Sequence, residues 1–157
     1  MAERLQWVLL AYRLPREPST PRIALWRRLR RLGAIRLVDN LVALPYDGRS
    51  KEQFDWLADE VGEAGGEATV WLAEAATRSQ ERALVARAKE ALAADYGTVT
   101  EAAQAARTED PAARRRALAR LRRALHAIRS RDYFSPPERD GAERAVEELA
   151  RAVEVGA

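Results

Sequence analysis

The chain has 157 residues, 47% of them hydrophobic, enough for one domain with its own core and an appended subdomain. It contains no cysteine, one histidine and one methionine, which excludes disulfides, thiol chemistry and thiolate metal sites. The net charge is only +3, but it is segregated: seven arginines and one acid between Arg13 and Arg31, eight arginines and no acid between Pro111 and Arg131, six acids and no base between Glu52 and Glu67.

Leu5 to Tyr12, LQWVLLAY, is rich in strand formers and largely apolar, as for a strand buried on both faces. It breaks into RLPREPSTPR, a stiff basic segment in which Pro15, Pro18 and Pro21 restrict the backbone. Ser19 or Thr20 as a hydroxyl N-cap and Pro21 at the first helical position start a helix that closes at Gly33. Ala34–Val38 and Leu41–Pro45 read as two short strands joined by Asp39-Asn40. Ser50 and Gln53 form a capping box for a helix with Phe54, Leu57 and Val61 on one face, ending at Gly65-Gly66. Ala68–Leu72 is a further strand.

That order is β-α-β-β-α-β within residues 1–75, which predicts an α+β fold of the ferredoxin-like kind. Its sheet has four antiparallel strands, and both helices lie on one face. The four tryptophans, Trp7, Trp26, Trp56 and Trp71, are expected to anchor its core. Residues 76–157 read as a helical extension, either packed on the sheet domain or forming a dimer interface. Thr77–Ala94 and Thr100–Arg107 are two helices interrupted at Asp95-Tyr96-Gly97, and Asp110-Pro111 starts the strongest helix, with Leu118, Leu121, Leu125 and Ile128 at 3-4-3 spacing. DYFSPPERDG interrupts the chain before a last amphipathic helix, Gly141–Val155.

Helical geometry then assigns the arginines. With Ile23, Trp26 and Leu29 as the inner face of the first helix, Arg27, Arg28 and Arg31 share the outer one, and Arg30 lies at the flank. In the long helix Arg116, Arg120, Arg123 and Arg131 fall opposite the leucine stripe. Arg13, Arg16 and Arg22 are held on the stiff loop beside the first helix start, where the positive end of the helix dipole also favours an anion. Arginine suits phosphate and other oxyanions, and nucleic acid rewards many such contacts through counterion release.

No catalytic constellation accompanies these groups, so no enzyme, metal site or cofactor is expected. His126 sits at a helix flank, GxxxxGK[ST] and GxGxxG loops are absent, and Asp55, Asp59, Glu60 and Glu63 line an exposed helix side. No apolar run is long enough to cross a bilayer, and MAERLQWVLLAYRLPR lacks a signal-peptide pattern; a soluble, cytoplasmic chain without a membrane partner is expected.

The stretches WVLLAYRLPREPSTPRIALWRRLRRLGAIRL, VALP and EQFDWLADEVGEAGGEATVW, with RSRDYFSPPE further on, closely resemble the N-terminal domain of the ChrB family of chromate-resistance regulators. A more distant similarity runs to the sheet domain of the phenylacetate-catabolism repressors and to the ferredoxin-like nuclease of CRISPR spacer acquisition. The resemblance implies a cytoplasmic transcriptional regulator that senses chromate and binds promoter DNA. Full-length members carry a second, C-terminal domain, so this chain corresponds to an excised domain or a stand-alone relative. The nuclease holds its metal with an Asp at the end of the first strand, where this chain has Tyr12-Arg13, and an arginine there would repel a cation.

Three readings follow. In the first, the chain is a DNA-binding regulatory domain, with Arg13, Arg16, Arg22, Arg27, Arg28 and Arg31 on phosphates and Arg116, Arg120 and Arg123 as a second footprint. In the second, chromate or another oxyanion is the effector, held by Arg13, Arg16 and Arg22. In the third, the helical half is an interaction module that forms a homodimer through the Leu118–Ile128 stripe.

Overall fold

The computed structural model of the chain describes residues 3–156. Its elements are β1 (Gln6–Arg13), α1 (Thr20–Leu32), β2 (Ile35–Val38), β3 (Leu41–Pro45), α2 (Gly48–Glu63), β4 (Glu67–Glu74), α3 (Arg78–Ala106), α4 (Pro111–Ser130) and α5 (Glu138–Val155). The four strands form one sheet in the order β2-β3-β1-β4, and every neighbouring pair is antiparallel. This is the ferredoxin-like βαββαβ arrangement, followed by helices.

The chain divides into two compact units, one up to Ala86 and one from Arg87 onward. Alternation along the strands builds the core of the first. Val8 and Leu10 of β1 and Val42 and Leu44 of β3 share one face of the sheet, and Leu25, Leu29, Phe54, Leu57 and Val61 of α1 and α2 pack on them. Both helices therefore cover the same face. Trp7 and Leu9 alternate onto the other face, where Leu9 pairs with Trp71 of β4.

The tryptophans depart from the sequence reading. Trp7 is 2% exposed, but Trp26, Trp56 and Trp71 are 45%, 53% and 58% exposed. For α1 the cause is rotational: Leu25 and Leu29 are its buried residues, not Ile23 and Trp26. The buried stripe is turned by roughly a quarter of the helix circumference, at about 100° per residue, from the one that Ile23, Trp26 and Leu29 define.

Capping also differs in detail. Ser19 makes no side-chain cap bond to α1, although Gly33, at φ 78, closes the helix as the sequence indicates, its N–H donating to Arg30 O at 3.1 Å. The box that opens α2 uses Asp47 and Ser50 in place of Ser50 and Gln53. The Ser50 N–H donates to Asp47 Oδ1 at 2.6 Å, and the Asp47 N–H donates to Ser50 Oγ at 2.9 Å. The Asp39-Asn40 hairpin is present, with Asn40 in the left-handed region at φ 64.

In the second unit α3 runs unbroken through Asp95-Tyr96-Gly97. A mid-helix glycine costs about 1 kcal/mol, whereas burying one large side chain is worth about 1.5–3 kcal/mol. Leu92, Tyr96, Val99, Ala103 and Ala106 continue one buried stripe across the supposed break, so continuity wins. Leu118, Leu121, Leu125 and Ile128 of α4 and Ala142, Ala145, Val146 and Leu149 of α5 complete this core. The leucine stripe of α4 is thus buried within its own chain and is not a free dimer face. The last helix begins at Glu138, with Gly141 inside it.

Candidate anion-binding cleft

β1 ends at Arg13, and the chain turns through Leu14–Ser19 into α1. The turn of the β2–β3 hairpin is drawn to the same end of β1, where the Tyr12 N–H donates to Asn40 O at 3.0 Å. Between these segments lies an open cleft of about 650 Å³, lined by Tyr12, Leu14, Arg16, Arg22, Ile23, Trp26, Arg27 and Asn40. Its volume falls in the range of small-molecule sites, about 300–1,000 Å³.

Helix α1 supplies half of the wall through two i,i+4 pairs, Arg22 with Trp26 and Ile23 with Arg27, which one helical face must present together. The rotation that buries Leu25 and Leu29 is what turns this face to the cleft. No acid lies in the first turn of α1, so nothing there neutralises the positive end of its dipole.

No carboxylate lines the cleft. Among the described residues, Arg16, Arg22 and Arg27 have no ion-pair partner. Three guanidinium groups without counter-charge around one concavity create a positive potential that attracts anions. Tyr12 is half-buried, and burial raises its phenol above the ordinary range, against a smaller opposing effect of Arg36; it therefore stands in the cleft as a neutral hydroxyl.

The other nominated arginines lie elsewhere. Arg13 is paired with Glu67 at 3.2 Å and is not a cleft wall. Arg28 faces α2 and is ion-paired and hydrogen-bonded to Glu60, so it does not share a free outer face with Arg27 and Arg31. Arg31 is exposed. Arg116, Arg120 and Arg123 form an exposed face of α4 in the second unit, but Arg131 is half-buried and pairs with Asp95 at 2.9 Å. The cleft therefore unites Arg16, Arg22 and Arg27 and leaves the others outside it.

Tyr12, Ile23, Trp26 and Asn40 were missed as site residues. Asn40 reaches the cleft only through strand pairing, which spacing does not reveal. Ile23 and Trp26 look like core residues because they are large and apolar. A signal was present nonetheless, since Leu25, Leu29 and Leu32 offer α1 a second apolar stripe at i, i+4, i+7, and two stripes cannot both be buried.

The family model described as "Protein ChrB, N-terminal" matches residues 22–109, more than half of the chain. The chain belongs to this family. It is therefore a domain related to the chromate-resistance regulators. No curated protein and no solved structure matches the chain. The ChrB match begins at Arg22 and so includes the α1 wall of the cleft and Asn40, while Tyr12, Leu14 and Arg16 precede it and the α4 arginines follow it.

Proposed function

We propose that this ChrB-type domain contacts the phosphate backbone of promoter DNA through its sheet unit and that an oxyanion such as chromate competes for the same guanidinium groups. The carrying observation is the convergence of Arg16, Arg22 and Arg27 on one cleft without a carboxylate. Exposed Arg31 and the Arg116, Arg120 and Arg123 face of α4 offer further phosphate contacts. Base reading is not part of this proposal, because guanidinium contacts to phosphate position a duplex without specifying its sequence.

The test is fluorescence anisotropy with a labelled duplex from the gene's upstream region, across a salt series. The variant Arg22→Glu/Arg27→Glu is expected to lose at least ten-fold in affinity and to flatten the salt slope by about two, one unit per lost phosphate contact. Both side chains are outside the core, so helical content and melting temperature stay as in the wild type. Arg28 is spared because reversing it would break its tie to Glu60. Unchanged affinity and slope would reject the assignment. Chromate added to the wild-type complex should lower the anisotropy, and calorimetry showing no heat with chromate or sulfate would reject the effector.

A further inference from the structure

The cleft is larger and more aromatic than a phosphate backbone or a bare oxyanion requires. A four-oxygen anion has the bulk of a few waters, each about 30 Å³ in the liquid, far below the roughly 650 Å³ between Tyr12 and α1. Beside the arginines stand Ile23 and Trp26, which the chain leaves about half exposed although Leu25 and Leu29 next to them are buried. Large apolar side chains left in water at a basic concavity mark a ligand surface.

We propose that the cleft binds a single unpaired nucleotide, its base stacked on Trp26 and its phosphate held among Arg16, Arg22 and Arg27. This rests on the reading of those arginines as the anion-binding wall. The guanidinium of Arg30 lies 4.9 Å from the centre of the Trp26 ring, and Arg30 is not a cleft wall. It covers one face of the indole, and the base would stack on the other. A base has an aromatic face for any such platform, and stacking of this kind tolerates every sequence. The Asn40 carboxamide offers a donor and an acceptor, and Tyr12 a hydroxyl, toward a base edge. A free nucleoside monophosphate and an unpaired position of a strand both meet this description, since each presents one base and one phosphate.

The experiment titrates adenosine monophosphate, a short oligothymidine and inorganic phosphate into a protein carrying Trp56→Phe and Trp71→Phe. Trp26 is then the only exposed indole, and binding is read as quenching of its fluorescence and as heat. Adenosine monophosphate or the oligonucleotide should quench it, and either should bind at least ten-fold tighter than phosphate alone. Binding by the mononucleotide identifies a free nucleotide as sufficient; binding by the oligonucleotide alone assigns the site to a strand. Trp26→Leu should weaken binding on the order of ten- to a hundred-fold. Arg27→Gln should weaken nucleotide and phosphate together. The proposal is overturned if neither the mononucleotide nor the oligonucleotide binds more tightly than phosphate, or if Trp26→Leu binds like the parent. Retained duplex binding in that case would leave the DNA reading standing, whereas nucleotide binding without any duplex binding would reject only the DNA reading.

Discussion

At Gly66 the backbone leaves no room for a side chain. A Cβ there would lie 2.2 Å from the carbonyl oxygen of Arg13 and 2.9 Å from Val61 Cγ1. Glycine at this position lets the start of β4 pass directly against the end of β1, from which the loop to the cleft departs. The adjacent Gly65, at φ 87, turns the chain out of α2, so the pair does more than stop a helix. Gly66→Ala must move backbone, and it is expected to destabilise the protein by about 3 kcal/mol, at the upper end of overpacking effects. Urea unfolding followed by tryptophan fluorescence measures it; a change below about 0.5 kcal/mol, the range of ordinary surface substitutions, would refute the close approach. The same scale explains the tryptophan error. Size made Trp26, Trp56 and Trp71 look like core anchors, but only Trp7 alternates into a fully covered position, and burial is decided by partners, not by hydrophobicity alone.

Elements were legible where punctuation marks them. Gly33, Asp39-Asn40, Gly65-Gly66 and Asp110-Pro111 each end or start a segment, and the order of strands and helices in the first unit follows from them. The rotation of α1 was not legible, because Ile23–Trp26–Leu29 and Leu25–Leu29–Leu32 are both apolar at helical spacing. What separates them is non-local: Arg28 must face Glu60 of α2, and Leu25 must face the sheet. The cleft was half legible for the same reason, its arginines found and its aromatic wall assigned to the core. Gly97 misled in α3, where a distant partner overrides local propensity. The buried Tyr96 hydroxyl donates to Asp132 Oδ2 at 2.7 Å, and the other oxygen of that carboxylate accepts the N–H groups of Phe134 and Ser135. This ties the middle of α3 to the turn between α4 and α5. The side chain of Asp132 is fully buried, and Arg139 stands 3.6 Å from it. Tyr96→Phe removes one hydrogen bond to a buried charge and is expected to lower stability by about 1.5–3 kcal/mol. Thermal melting followed by circular dichroism tests this, and a melting temperature equal to wild type would show that the bond is not stabilising.

For the molecule as a whole, the two units have separate cores, and the second holds two carboxylates that tie its stability to pH. In the second unit Glu143 is held below the ordinary carboxylate range by hydrogen bonds from Arg129 and then Arg139, outweighing some desolvation. Asp110 is held low chiefly by the N–H of Ala113, which it accepts as the cap of α4. Each group binds its proton less readily when folded than when unfolded. The stability it contributes is therefore complete above the ordinary carboxylate value, about pH 4, and is lost as pH falls through the lower folded value. The reporters are segregated, since all four tryptophans precede Ala86, while α4, α5 and most of α3 lie beyond it. On acid titration the far-ultraviolet helical signal should fall at higher pH than the tryptophan fluorescence changes. Glu143→Gln, which removes one of the two titrating groups, should narrow the gap between the curves. Superimposable curves in the wild type would mean that the units unfold as one body, and that the ion pairs of Glu143 and the cap at Asp110 do not set the acid limit.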